Sequence, residues 1–200
     1  MEQVVQAQPN WWQRFLAWVT NHPGQVTLVI VAVGFLVYVN ALPNALFWDD
    51  DDGILHNIFI RDWSYLNSFF TQNLIAGSGL LSNYWRPLLL ITYATEWHLW
   101  GAWAPGYHAV NIILHLGAAA VLWSVLRKLT REPVVAFVAT LVFALHPLQT
   151  EAVTYVSGRA DPLAALLGFM ALRQYLKHLE LNVGKFWTKP YIWALVWFVL

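Results

Sequence analysis

Residues 26–52 read VTLVIVAVGFLVYVNALPNALFWDDDD and place an apolar run directly before four consecutive aspartates. The apolar part, 26–42, contains no charged residue and, with its flanks, is just long enough to cross roughly 30 Å of hydrocarbon as a helix. Four carboxylates beside a membrane are costly to ionise together, because like charges and a low-dielectric neighbour both oppose ionisation. The stretch predicts a membrane protein with a cation-binding or proton-abstracting loop, and a solvated acidic loop is the alternative.

Composition supports the membrane class. Of the 200 residues, 58% are hydrophobic and only 11% are charged, and thirteen are tryptophan. Cysteine is absent, which excludes disulfides and thiolate metal sites. The formal net charge is zero, and we expect membrane lipid as a partner and no nucleic acid.

Further apolar runs predict the remaining helices. Aromatic and apolar residues spaced by three and four between positions 11 and 19 predict an interfacial helix within a cytoplasmic segment, 1–24. The transmembrane domain, 25–200, is expected to have spans at about 26–42, 107–126, 133–148, 161–177 and 191–200. The last is too short to cross, so we expect an all-α, polytopic protein of which this chain is the N-terminal part.

The segment between the first two spans, 43–106, is expected to lie outside the bilayer core. Asp62 can cap an amphipathic segment that contains Trp63, Leu66, Phe69 and Phe70. Pro87 favours the start of a second helix toward residue 100, and Glu96 within it argues against a span that faces lipid. The sequence therefore predicts two helices along the membrane surface.

Charged residues predict the orientation. If the Pro87 helix does not cross, eight of the eleven basic residues fall on the side of the N-terminus, which predicts a cytoplasmic N-terminus. Eight of the eleven acidic residues then fall on the opposite, extracytoplasmic side: Asp49, Asp50, Asp51, Asp52, Asp62, Glu96, Glu151 and Asp161.

This topology brings three groups of residues to the extracytoplasmic face: the aspartate loop, Arg86, and the segment 146–161. A carboxylate can take the proton from an attacking hydroxyl, while a guanidinium or a divalent cation stabilises a departing phosphate. The donor that suits such a site is a sugar carried on a lipid phosphate. We therefore expect the aspartates and the corner formed by Arg159 and Asp161 to share one pocket.

Other metal sites fit less well. An EF-hand centred on Gly53 would need acidic ligands at positions that hold Trp48 and Phe59. His108 and His115 lie seven residues apart without a third ligand for zinc, so they more often satisfy buried polar neighbours.

Four motifs occur in order between about residues 42 and 176. They are Leu46-Phe47-Trp48-Asp49-Asp50, Tyr84-Trp85-Arg86-Pro87-Leu88, Tyr107-His108-Ala109-Val110-Asn111, and His146-Pro147 continued by Thr150-Glu151-Ala152-Val153 and Gly158-Arg159-Ala160-Asp161. Together they resemble the motifs of the transmembrane and tetratricopeptide-repeat O-mannosyltransferases and their prokaryotic relatives. The resemblance implies a GT-C type glycosyltransferase fold with two juxtamembrane helices in its first outer loop.

The resemblance also implies a reaction: inverting transfer of a sugar, mannose in the best-known members, from a polyprenyl phosphate to a hydroxyl of a protein or glycan. The first-loop aspartate, Asp49 or Asp50, would be the base. Asp50 and Asp161 would hold a divalent cation such as Mg²⁺ or Mn²⁺. The remaining substrate-binding residues would be Arg86, Tyr107, His108, His146, Glu151, Arg159 and Asp161.

A different class of function stays open, namely a non-catalytic membrane module that binds polyprenyl phosphate or a partner membrane protein. The short chain is its main support. An ion or proton carrier ranks last, because ionisable residues lie near the ends of the predicted spans and not within them.

Overall fold

The computed structural model describes residues 8–181 and 187–200, so residues 1–7 of the predicted N-terminal segment lie outside the described part. The described residues form α-helices and short 3₁₀ or π turns without a β-strand, which confirms the all-α prediction. The α-helices are α1 (Trp11–Asn21), α2 (Pro23–Tyr38), α3 (Leu66–Thr71), α4 (Pro87–Trp100), α5 (Ala104–Thr130), α6 (Pro133–Leu145), α7 (Thr150–Thr154), α8 (Ala160–Leu181) and α9 (Lys189–Val199).

Among the described residues, two segments are long and apolar enough to cross a membrane. One is Pro23–Ala41, which is α2 extended by a 3₁₀ turn, and the other is α5. A third crossing is available if α6 and Pro147–Thr154, bent by 46° at their junction, act as one span. The helices α8 and α9 form where spans were predicted, but α8, with 22 residues, is not apolar enough and α9, with 11 residues, is too short, so their crossing stays a prediction.

The helix α5 is the centre of the bundle and contacts α2, α6, α7 and α8. Its approach to α2 is close, because a Cβ added to Gly34 would lie 2.4 Å from Leu116 Cδ2. The helix α1 packs on α6, where the rings of Phe15 and Phe137 are 6.1 Å apart. Trp11 at its start is 77% exposed, as expected for an amphipathic helix.

The segment 43–106 folds around α4 and has an apolar core of its own. Asp62 caps the turn before α3 as predicted, since its Oδ1 accepts the Ser64 N–H at 2.8 Å. α4 begins at Pro87, also as predicted. The buried side chains of this core are Ile54, Ile60, Phe69, Leu89, Leu90, Tyr93, Ala94, Tyr107 and Val156. Its members come from the loop, α4, α5 and residue 156, so the loop is fixed against the bundle at the end where the site residues lie.

Candidate functional site

A tight turn at residues 47–50 buries one of two adjacent aspartates and leaves the other exposed. Trp48 has a φ of +55°, in the left-handed region that side chains with a Cβ rarely adopt. The Asp50 N–H donates to the Phe47 carbonyl at 3.2 Å, and Asp50 Oδ2 accepts the Phe47 N–H at 3.2 Å. As a result Asp50 is fully buried, whereas Asp49 is exposed.

The buried Asp50 joins the turn to the 3₁₀ turn Val156–Arg159. Its Oδ1 accepts the Ser157 N–H at 2.8 Å and the Ser157 hydroxyl at 2.6 Å. Burial raises the pKa of Asp50, and the hydrogen bonds from Ser157 and Phe47 oppose that rise. Both carboxylate oxygens are therefore engaged: Oδ1 joins two distant parts of the chain, and Oδ2 closes the local turn.

Asp49 is the member of the pair that a ligand can reach. Its backbone N–H donates to the Tyr155 hydroxyl at 3.1 Å, which fixes the residue at the rim of the same segment. Its side chain remains exposed. Of the two candidates for the base, Asp49 therefore has an exposed carboxylate, whereas the carboxylate of Asp50 is buried and holds the structure together.

Arg159 is the centre of a buried polar network. Its guanidinium donates to both carboxylate oxygens of Glu96. It also donates to Asn111 Oδ1 at 2.7 Å, to Thr92 Oγ1 at 3.1 Å and to the Tyr107 carbonyl at 2.9 Å. We predicted Arg159 as a contact for substrate phosphate, but Glu96 already supplies its counter-charge and no part of the side chain is exposed.

The pair ties α4 to the site segment. Burial raises the pKa of Glu96, and the Arg159 guanidinium beside it opposes that rise. Tyr93 adds two contacts, since its ring lies 4.8 Å from the guanidinium carbon and its hydroxyl donates to the Val156 carbonyl at 3.2 Å. Because a buried charge without its partner is costly, this network fixes the relative position of α4 and residues 156–159.

A cavity of about 530 Å³ lies between the starts of α4 and α8 and brings Arg86 and Asp161 together. The Arg86 guanidinium lies 4.6 Å from the Tyr84 ring centroid, and within the described residues it forms no ion pair. The remaining wall is mostly apolar and comes from Phe70, Trp85, Pro87, Leu88, Leu89, Ala160, Leu163, Ala164, Leu167, Val199 and Leu200. Neither Asp49 nor Asp50 lines this cavity, so the expectation of one shared pocket is wrong in that respect. The two parts are joined through residues 155–161 instead.

Two predicted binding residues are buried at the start of α5. The Tyr107 hydroxyl donates to the Gly101 carbonyl at 3.0 Å, and its own carbonyl accepts from Arg159. His108 Nε2 lies 3.1 Å from the Asn44 carbonyl, at the beginning of the loop. Both side chains are fully enclosed and hold the loop ends in place, so direct substrate contact does not fit this arrangement.

The other two predicted residues lie at the surface before and within α7. His146 is exposed, and its Nδ1 accepts the Leu148 N–H at 3.2 Å, which makes it a cap of the following turn. Glu151 is exposed in the first turn of α7. Neither residue reaches the cavity or the aspartate turn through a contact among the described residues.

The proposed metal ligands are not brought together. Asp50 uses both oxygens in hydrogen bonds to the chain, and Asp161 lines a cavity that Asp50 does not line. Within residues 8–181 and 187–200, no three His, Asp or Glu side chains cluster as metal ligands. The residues present do not fit a shared cation, and we assign no step to one.

Sequence reasoning missed the residues that position the site. Glu96 carried a signal, because a carboxylate in an otherwise apolar helix needs a buried partner. Asn111 lay within a quoted motif, but its role was unassigned. Ser157 and Thr92 carried no signal, since a hydroxyl residue is common in helices and turns alike.

Gly158 allows the close approach of residues 156–159 to α7. A Cβ at this position would lie 2.7 Å from the Glu151 carbonyl oxygen and 3.2 Å from Ala152 Cα, both backbone atoms. We expect Gly158→Ala to lower the free energy of unfolding by about 1–3 kcal/mol, measured by thermal unfolding in detergent. In Gly168→Ala nothing lies within 4 Å of the new Cβ, and the helix interior favours alanine, so this control is expected to be neutral or slightly stabilising. Equal melting temperatures for the two variants would contradict the packing argument.

The helices of bilayer length define an all-α integral membrane protein. A buried ion pair and an exposed aspartate near the helix ends form a polar site at one end of the bundle. Comparison with known proteins then identifies its relatives. The chain is 34% identical over 159 residues to protein O-mannosyl-transferase Tmtc2 of Drosophila melanogaster, an alignment that covers 76% of this chain and 17% of that protein. It is 32% identical over 163 residues to human protein O-mannosyl-transferase TMTC1, covering 79% of this chain and 18% of the relative.

Human protein O-mannosyl-transferase TMTC4 is 31% identical over 173 residues, covering 78% of this chain and 23% of the relative. The chain is therefore a relative of the TMTC protein O-mannosyl-transferases. It spans about a fifth of the length of the curated relatives it matches. No family model matches the chain. No solved structure matches it either.

Proposed function

We propose that this chain forms the base-bearing and donor-binding part of a membrane glycosyltransferase that moves a sugar, mannose by analogy with its relatives' names, from a polyprenyl phosphate to a protein hydroxyl. One observation carries the proposal. Residues 155–161 contact the exposed aspartate turn through Tyr155 and Ser157. At their other end Asp161 lines a cavity with Arg86, whose guanidinium forms no ion pair within the part of the chain that the structure describes. A proton acceptor and a phosphate-binding group thus flank one short segment.

Asp49 is the proposed base. In the reaction its carboxylate takes the proton of the acceptor hydroxyl while the hydroxyl oxygen bonds to the anomeric carbon of the sugar. The bond from that carbon to the phosphate oxygen breaks, and the polyprenyl phosphate leaves with the bonding electron pair. Asp50 acts as a positioning residue, because its hydrogen bonds to Ser157 hold the turn in place.

The cavity beside Arg86 is the proposed donor site. Its apolar wall, with Leu88, Leu163 and Leu167, suits an isoprenoid chain. The Arg86 guanidinium can bind the phosphate and stabilise the charge that develops on it as the sugar leaves. Asp161 can accept hydrogen bonds from sugar hydroxyls on the same side.

The distribution of charge supports an orientation with a cytoplasmic N-terminus and the site on the extracytoplasmic face. The basic residues Arg127 and Lys128 in the last turn of α5, with Arg131 directly after it, lie at the opposite end of this helix from Tyr107 and His108, which contact the site.

A non-catalytic module that binds polyprenyl phosphate or a partner membrane protein is the second candidate. The observation that favours it is that Asp49, the proposed base, does not line the cavity beside Arg86, so that cavity holds no proton acceptor from the aspartate turn. The cavity beside Arg86 would serve either function.

A reconstitution experiment separates the two. The complete protein in proteoliposomes is offered an acceptor protein with radiolabelled mannose on polyprenyl phosphate or on a nucleotide. We expect label to reach the acceptor from the lipid-linked donor alone. Transfer from the nucleotide sugar without any lipid phosphate would contradict the donor class, and lipid binding without transfer from either donor would support the module.

Arg86→Gln is expected to raise the KM for the lipid-linked donor by about ten- to a hundredfold, because it removes a charge-assisted hydrogen bond to phosphate. The measurement is initial transfer rates against donor concentration. Arg14→Gln on α1 is the control, since its guanidinium contacts only the Pro9 carbonyl among the described residues and should leave the KM unchanged. An unchanged KM in the Arg86 variant would exclude Arg86 as the phosphate ligand.

A further inference from the structure

Trp48 presents a large aromatic ring to the exterior from a strained backbone position. Its side chain is 79% exposed, and its φ is +55°. Glycine adopts this conformation freely, whereas a residue with a Cβ does so at a cost. The strain occurs next to Asp49, the proposed base, and strained residues of this kind cluster at functional sites.

The ring belongs to a cluster of aromatic side chains, Phe47, Trp48 and Tyr155, which come from two distant segments of the chain. The Phe47 and Tyr155 ring centroids are 5.1 Å apart, and the Trp48 and Tyr155 rings are nearly perpendicular, with centroids 6.5 Å apart and 84° between their planes. Phe47 and Trp48 are 5.5 Å apart. The Tyr155 hydroxyl accepts the Asp49 N–H, so the rings and the aspartate are fixed together. The cluster is therefore held in one place beside the carboxylate.

We infer that the exposed face of Trp48 binds the sugar ring of the lipid-linked donor, an inference that rests on the proposed function. A pyranose has an apolar face of C–H groups and polar hydroxyls at its edge, so an aromatic ring covers the face while hydrogen-bonding groups meet the edge. Positive charge develops on the sugar as the bond to phosphate breaks, and a π face attracts positive charge. Trp48 supplies such a face next to the group that deprotonates the acceptor.

The alternative for an exposed tryptophan in a membrane protein is an anchor at the headgroup level. The two roles differ in what they recognise. A sugar-binding ring distinguishes a lipid phosphate that carries mannose from the same lipid without it, whereas an anchor does not.

The test measures the affinity of the complete protein in nanodiscs for mannosyl polyprenyl phosphate and for polyprenyl phosphate without the sugar. We expect Trp48→Ala and Trp48→Gly to weaken binding of the mannosyl lipid by about three- to tenfold and to leave binding of the bare lipid unchanged. The glycine variant removes the ring without backbone strain, so agreement between the two variants excludes misfolding. Trp48→Tyr keeps an aromatic face and is expected to restore affinity to within about twofold.

Trp11→Ala is the matched control, because Trp11 is 77% exposed on α1 and is expected to affect neither lipid. Equal weakening of both lipids in the Trp48 variants would assign an anchoring role and overturn the inference, as would no weakening of either. Failure of the proposed function would give a different result. The protein without substitutions would then transfer no sugar and would not prefer the mannosyl lipid over the bare lipid. If the protein transfers sugar but its affinity for the mannosyl lipid does not change in the Trp48 variants, this inference is wrong and the proposed function stands.

Discussion

Asp49→Asn is expected to reduce sugar transfer by the complete protein by about 10²–10⁴-fold while leaving its thermal stability unchanged. The amide cannot accept the proton of the acceptor hydroxyl, and a positioned base contributes acceleration of about that size. The side chain is exposed, so its replacement disturbs no buried contact. The measurement is the initial rate of mannose transfer in proteoliposomes, with the melting temperature recorded in parallel.

Neighbouring aspartates provide the controls for this prediction. Asp51→Asn removes the same charge from another exposed residue, two positions along the chain. It is expected to keep transfer within a few-fold of the unchanged protein. Asp50→Asn places an amide where both oxygens accept N–H or O–H groups, so it is expected to lower stability first and activity as a consequence. If Asp51→Asn abolished transfer and Asp49→Asn did not, the assignment of the base would be wrong.

Glu96→Gln is expected to lower the free energy of unfolding by about 3–5 kcal/mol, the range seen when one partner of a buried ion pair is removed. The Gln amide would turn an N–H₂ toward a guanidinium that needs two acceptors, so Arg159 would stay buried without its counter-charge. Because this pair joins α4 to residues 156–159, we expect α4 to separate from the bundle early in unfolding. The measurements are denaturant unfolding in detergent and hydrogen exchange in α4.

The exposed pair between Lys128 and Glu180 is the matched control. Its side chains are 31% and 58% exposed, with Nζ 2.7 Å from Oε2. Glu180→Gln makes the same chemical change in solvent and is expected to alter stability by less than about 1 kcal/mol. Equal effects of the two substitutions would show that burial of the Arg159 pair does not matter to stability.

Helix positions were largely predictable because local sequence defines them. Pro87 and Pro133 each begin a helix, since proline at the first turn lacks only an N–H that would be unpaired there. One boundary error, at the end of α6, also has a local cause. The predicted span ran to residue 148, but Pro147 disfavours helical geometry in the residue before it, and α6 ends at Leu145.

The site was predictable only as a set of candidates. The motifs placed Asp49, Asp50, Arg86 and Asp161 at one end of the bundle, and the structure puts Arg86 and Asp161 in one cavity. The structural role of Arg159 was not predictable, because its partner Glu96 lies 63 residues away in a helix whose contacts no periodicity reveals. Candidate residues follow from chemistry, but their roles follow from contacts between distant segments.

The sequence by itself determined the membrane class and the all-α fold, because hydrocarbon thickness and the absence of water require long uncharged helices that satisfy their own backbone. It also determined the relationship to O-mannosyl-transferases, through motifs in a fixed order. Only the tertiary structure distinguished two neighbouring aspartates of identical chemistry, of which one is buried and the other exposed. Their difference arises from the left-handed turn at Trp48 and from the two hydrogen-bond donors of Ser157, which bury one carboxylate and leave the other exposed.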